Sequence, residues 1–170
     1  NEAETEVYVD RCRADNIPIL KRCSGGGTVI QGPGCFNFSL CFHQDTYPEL
    51  KTISTTNQFI MAQHQSALSS LIGDVDVNGF TDLSIKNIKF SGNAQRRLKD
   101  TLLFHGTLLI DFDLSVISQY LKMPSRMPDY REDRPHTEFV RNITICRTAT
   151  MQAICDIWGC EHGLPSPDLA

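Results

Sequence analysis

No apolar run in the 170-residue chain approaches the roughly 20 residues of a membrane helix, which excludes a helical membrane span. There is no CxxC pair and no signal-peptide pattern, and the seven cysteines (Cys12, Cys23, Cys35, Cys41, Cys146, Cys155 and Cys160) are odd in number. These absences argue against a disulfide framework and for a reducing compartment, so a cytoplasmic protein is expected. Excess positive charge is also missing: 16 Lys and Arg stand against 20 Asp and Glu, for a net charge of −4. A broad nucleic-acid or anionic-membrane surface is therefore not expected, although Arg96, Arg97 and Lys99 form one local basic cluster. No repeat and no low-complexity segment occurs. Cys155, Cys160 and His162 are spaced CxxxxCxH, which fits no common zinc pattern, so no metal site is expected there. The sequons at Asn37 and Asn142 read as chance matches, because Asn37 lies in an apolar strand pattern.

What is present suits one globular domain, with 41% hydrophobic and 21% charged residues. Residues 2–14 carry acids early and bases late, as a helix macrodipole favours, and Asp15-Asn16 would stop that helix. Ile17 to Lys21, Thr28 to Ile30 and Cys35 to Phe42 read as strands, the last two joined by Gly32-Pro33-Gly34. Apolar residues at helical spacing from Glu49 to Ile72 predict the longest helix, with His64 on its inner face. Alternation then predicts antiparallel strands at Val75–Val77, Asp82–Ile85, Ile88–Phe90 and Leu102–Ile110. Asn78-Gly79, Lys86-Asn87 and Lys99-Asp100 are their turns. A short helix at Leu114–Leu121 has Asp113 as a candidate N-cap. Residues 123–136 hold three prolines and many charges and read as an exposed loop in which Glu132-Asp133 is solvated. A last helix spans Arg147 to Trp158, and Gly163 to Ala170 is a frayed tail.

Three stretches could carry chemistry. In Arg22-Cys23-Ser24-Gly25-Gly26-Gly27-Thr28 the glycines let backbone N–H groups converge on an anion, and Arg22 adds a planar charged fork. A flexible turn is the alternative, and no Gly-Lys-Ser/Thr follows that would make a Walker loop. In Lys89-Phe90-Ser91-Gly92-Asn93-Ala94-Gln95-Arg96-Arg97, Lys89 is a solvated strand lysine if only one face of the sheet is covered. If both faces are covered it becomes a fixed charge able to hold a carboxylate and a phosphate together. In His105-Gly106-Thr107-Leu108-Leu109 a His-Gly pair interrupts an apolar strand, marking either a bulge or the close approach of a ligand or a second backbone.

Together and in this order, the three stretches resemble the signatures of the lipoate–protein ligase family, within the wider biotin/lipoate ligase and octanoyltransferase group. The resemblance runs from about Ile17 to Leu121. It implies an α+β fold, with mixed, mainly antiparallel sheets flanked by helices, around a biotinyl/lipoyl ligase-like catalytic core. It also implies activation of lipoate or octanoate by ATP and Mg²⁺ to an acyl-adenylate. The acyl group then passes to a lysine on the lipoyl carrier domain of a 2-oxoacid dehydrogenase or glycine cleavage system.

Residue by residue, the resemblance implies that Lys89 contacts the acyl carboxylate and the adenylate phosphate. Asp82 places Mg²⁺ or the adenylate. The nucleotide-contacting loop comprises Arg22, Ser24, Gly25, Gly26, Gly27, Thr28, Val29 and Ile30, while Gly92, Asn93, His105, Gly106 and Thr107 line the same cleft. Val29, Phe36 and Phe38 are candidates to wall an acyl tunnel, with core packing as the alternative. Departures occur at Gln31-Gly32, where the family has His-Asp, at Gly34-Cys35 for Gly-Asn, and at Phe80-Thr81 for Arg-Asn. Residues 1–170 are expected to form a single catalytic domain without the family's N-terminal segment and C-terminal accessory domain. Cys35 supports a second expectation, a cysteine-dependent octanoyl or lipoyl transferase, if a thiolate near Arg22 and Lys89 has a lowered pKa. A non-catalytic lipoyl-binding module is the third.

Overall fold

Alternating residues build one antiparallel sheet in the computed structural model, which describes residues 3–160. Its strands are β1 (Cys35–His43), β2 (Asp76–Asn78), β3 (Asp82–Ile85), β4 (Ile88–Leu98) and β5 (Thr101–Leu109), in the order β1-β5-β4-β3-β2. The two-residue turn between β3 and β4 places Lys86 at φ 53° and Asn87 at φ 59°, the left-handed pair whose twist suits a tight hairpin. The helices are α1 (Ala3–Glu6), α2 (Val9–Ala14), α3 (Ile53–Ile72), α4 (Ser115–Tyr120), α5 (His136–Phe139) and α6 (Arg147–Ile157). The architecture is the α+β fold, with an antiparallel sheet flanked by helices, that the family resemblance implied.

Helix α3 starts where the Thr52 side chain accepts from the Thr55 N–H, and it ends at Gly73, whose N–H bonds Ser69 O. It buries Thr56, Ile60, Met61, His64, Ala67 and Leu68 on one face. That face and α6 pack on the side of the sheet carrying Phe36, Phe38, Leu40, Leu102, Phe104 and Leu108. Fully buried residues such as Phe90, Phe104 and Leu68 each contribute about 1.5–3 kcal/mol. A second cluster, of Val7, Cys12, Cys35, Phe112, Ile117, Tyr120 and Leu121, joins the N-terminal helices to α4.

Several elements differ from the sequence-based expectation. Residues 2–14 do not make one helix, because residues 6–8 pair with 120–122: Tyr8 N–H bonds Tyr120 O, and Lys122 N–H bonds Glu6 O. Ile17–Lys21 and Thr28–Ile30 are not strands. Pro18 lacks a donor, neither run pairs with a strand among the described residues, and Leu20 and Val29 are 85% and 55% exposed. Asp113 does accept from Ser115 N–H and Oγ, one residue ahead of the N-cap position at Leu114. The loop 123–136 is not wholly exposed, for Arg131 is 4% exposed over the Phe139 ring. His162 and the segment 163–170 lie outside the described residues.

His64 gives the core a pH dependence. Trp158 Nε1 donates to His64 Nε2 at 3.1 Å, and the ring meets Phe38 edge-on at 4.6 Å between centroids. Burial lowers its pKa from 6.5 to about 4. Between these values the unfolded chain binds the extra proton, so stability rises with pH. Urea titrations should show a loss of about 2 kcal/mol between pH 7 and pH 5 from this group. His105 and His136, also lowered by burial, add to the same trend, so a His64→Phe variant isolates the contribution. An unchanged pH slope in that variant contradicts it.

Candidate functional site

A single extra residue determines where Lys89 points. Leu83 pairs with Ser91, but Ser84 pairs with Lys89, so Phe90 is the added residue of a β-bulge. In an unbroken strand Lys89 and Ser91 would share a face. The bulge instead leaves Phe90 and Ser91 in the core, at 0% and 1% exposed, and sends Lys89 to the opposite side. There Lys89 Nζ meets Asp82 Oδ1 at 2.8 Å, with the side chains 27% and 15% exposed. Gly92 leaves room for it: a Cβ on Gly92 would stand 3.0 Å from both Cε and Nζ of Lys89.

The same face carries the rows Asp82–Gly92–Thr107–Asn37 and Ala94–His105–Ser39. Segment 22–34 is fastened along it. Ser24 Oγ and His105 Nε2 share a hydrogen bond of 2.6 Å, and Gln31 Nε2 donates to Thr107 Oγ1 at 2.7 Å. Thr107 Oγ1 in turn donates to Asn37 Oδ1 at 2.6 Å. Burial and the neighbouring Arg22 charge push the His105 pKa down, so a neutral ring can accept the Ser24 proton.

Arg22 turns Nε and Nη2 into the loop. Its Nη2 donates to Gly25 O at 2.7 Å and Gly27 O at 2.8 Å, and its Nε to Ser24 Oγ at 3.2 Å. The guanidinium therefore first shapes the turn, in which Gly26 holds φ 102°. Burial lowers the pKa of Arg22. Gly25 and Gly27 have nothing within 4 Å of where a Cβ would stand, so both flank open space.

Other candidates fall elsewhere. Asn93 does not line this face. Its Nδ2 donates to Thr81 O at 2.6 Å, and its Oδ1 is buried without a partner among the described residues. Gly106 sits beneath it: a Cβ there would overlap Asn93 Oδ1 and lie 2.8 Å from Phe38 Cζ. The His105-Gly106 interruption is thus neither a bulge nor the approach of a ligand or second backbone: β5 keeps an unbroken register on both sides, and the glycine makes room for the Asn93 and Phe38 side chains. Ile30 packs against the second cluster, and Thr28 and Val29 are exposed. Phe36 and Phe38 belong to the main core, whereas Val29 joins neither cluster, so the three do not form one wall. Cys35 is 7% exposed in the second cluster, and burial pushes its thiol pKa up, contrary to the lowered value that a nucleophile would need.

Sequence reasoning missed Tyr130, whose hydroxyl donates to Asp82 Oδ2 at 2.8 Å. No local signal marks it, since it stands alone in a charged, proline-rich loop. Both Asp82 oxygens are therefore engaged. No group of three or more His, Cys, Asp or Glu side chains among the described residues could hold a metal ion.

A family model described as the lipoyl protein ligase A/B catalytic domain matches residues 1–162. Lipoate–protein ligase 1 of Staphylococcus aureus is 31% identical over 122 residues, covering 72% of this chain and 35% of that protein. The chain thus spans about a third of that relative's length. A bi-partite lipoate protein ligase of Thermoplasma acidophilum, from a structural study that includes its E2 lipoyl domain, superposes with a TM-score of 0.74 at 25% identity. That match covers 94% of this chain and 65% of the other. A putative ligase from the same organism, with bound lipoic acid, gives 0.75 at 22% identity over 94% and 66% of the chains. A lipoate-protein ligase A bound with ATP gives 0.70 at 23% identity over the same shares. No helix among the described residues is long and apolar enough to cross a membrane.

Proposed function

The chain belongs to the lipoyl protein ligase A/B catalytic-domain family, and we propose that it activates lipoate, or octanoate, with ATP for transfer to a lysine of a lipoyl carrier domain. The observation that carries this reading is the bulge that turns Lys89 to the face opposite the core, where it stands partly buried against Asp82. In activation a carboxylate oxygen bonds to the α-phosphorus of ATP and pyrophosphate leaves. Two anions must meet, and charge gathers on the phosphoryl oxygens. A fixed, partly desolvated ammonium lowers that repulsion and stabilises the transition state. In the second step the carrier lysine attacks the acyl carbon, AMP leaves, and an amide forms.

The open space beside Gly25 and Gly27 supports a close approach of the nucleotide to the loop backbone. Asp82 already accepts from Lys89 and Tyr130, and no group of three or more candidate metal ligands gathers around it among the described residues. Mg²⁺ fits better as an ion that arrives on the nucleotide phosphates, as this cation favours. Residues 1–170 act in this reading as one catalytic unit. The carriers that suit it are the lipoyl domains of 2-oxoacid dehydrogenases or of the glycine cleavage system.

ATP–pyrophosphate exchange measured with lipoate, octanoate and biotin in parallel tests the proposal. Exchange with lipoate or octanoate, and none with biotin, is expected. No exchange with any acid would overturn it in favour of a non-catalytic lipoyl-binding module. An acyl adduct on Cys35 after incubation with octanoyl-carrier protein would instead favour the transferase.

A further inference from the structure

We propose that Tyr130 is a positioning residue for Lys89, acting through Asp82 by fixing the carboxylate between the phenol and the ammonium. The inference rests on the reading that Lys89 drives activation. Tyr130 OH donates to Asp82 Oδ2 at 2.8 Å, and Lys89 Nζ approaches Asp82 Oδ1 at 2.8 Å. The two oxygens thus have different donors, one from a loop and one from β4. A carboxylate held at one oxygen can rotate about its last bond; held at both, it cannot. Lysine has a long, flexible stem with many rotamers, so a loose partner leaves the ammonium loose.

The loop that supplies Tyr130 is itself tied to the hairpin it serves. Arg134 Nη2 donates to Tyr130 O at 2.6 Å and to Asn87 O at 3.1 Å, in the turn between β3 and β4. Arg131 Nε donates to Arg134 O, and Arg134 Nε returns a bond to Arg131 O, each at 2.9 Å. The guanidinium of Arg131 lies 4.5 Å from the centre of the Phe139 ring, and the Tyr130 ring lies 5.2 Å from the same ring. Asp82 and Lys89 stand on the two strands of the clasped hairpin, so strap and ion pair share one frame. Burial and the Asp82 charge push the phenol pKa far up, which keeps Tyr130 a donor at any working pH.

Tyr130→Phe, which keeps the ring against Phe139, should lower the exchange kcat about tenfold, the worth of one hydrogen bond to a charged group. KM for lipoate and ATP should stay within about twofold. Asp82→Asn should lose at least as much, and the double variant no more than Asp82→Asn alone. Independently of turnover, the ¹⁵N-labelled Lys89 ammonium signal, identified by its loss in Lys89→Arg, should become less protected from hydrogen exchange in Tyr130→Phe. Multiplying losses in the double variant, or an unchanged ammonium signal in Tyr130→Phe, overturns the proposal. If the unmodified chain shows no exchange, the functional reading fails while the ammonium signal still decides the role of Tyr130.

Discussion

Lys89→Ala should slow acyl-adenylate formation about 100- to 1,000-fold at saturating ATP and lipoate, equivalent to about 2.7–4 kcal/mol of transition-state stabilisation. The size follows from where the cation stands. A surface lysine would be screened and replaceable, but this one is 27% exposed and pinned against Asp82. Its charge is already oriented before substrate arrives, so no reorganisation is needed as charge builds on the phosphorus oxygens. The fold should suffer much less, since the pair is partly exposed and Asp82 keeps the Tyr130 hydroxyl. Lys89→Arg should restore only part of the rate, because a planar fork cannot place its charge where a compact ammonium sat. Single-turnover formation of lipoyl-adenylate separates chemistry from carrier transfer, and a thermal melt on the same samples reports folding. An Ala variant that melts normally and makes adenylate at the unmodified rate would sink the electrostatic account.

Lys89 also shows how far the sequence could be read. Alternation and two-residue turns marked β3, β5 and the first three residues of β4, which runs on to Leu98, and apolar spacing marked α3, because those signals are local. The direction of Lys89 was not legible, since the bulge at Phe90 has no signature in Ile88-Lys89-Phe90-Ser91 and appears only when β4 is laid beside β3. Ile17–Lys21 and Thr28–Ile30 have strand-like composition, yet a strand needs a partner and neither run pairs with the sheet. Tyr130 reaches Asp82 across 48 residues from a segment whose composition reads as solvated loop. The glycine motif was legible as a motif. Its inner arrangement, with Arg22 turned onto the carbonyls of Gly25 and Gly27, was not.

Gly34→Ala should destabilise the chain by about 4 kcal/mol or more, combining left-handed strain with overpacking. Gly34 holds φ 90°, a conformation costly for any residue with a Cβ, and an added Cβ would overlap the backbone carbonyl of Asp111. That obstacle is main chain and cannot swing aside. The carbonyl of Gly34 also accepts both Ile110 N–H and Asp111 N–H, at 3.1 and 3.2 Å, where β5 ends and β1 is about to begin. A shift there would strain the junction that returns the glycine loop to the sheet. Gly25→Ala and Gly27→Ala are the contrast. Nothing stands within 4 Å of either Cβ position, so both should melt within about 1 kcal/mol of the unmodified chain. If their empty space belongs to the nucleotide, they should nevertheless raise KM for ATP. Urea unfolding of the three variants beside ATP titrations of the exchange rate separates the two uses of glycine. A stable Gly34→Ala would refute the first use, and Gly25 and Gly27 variants with unaltered KM for ATP would refute the second.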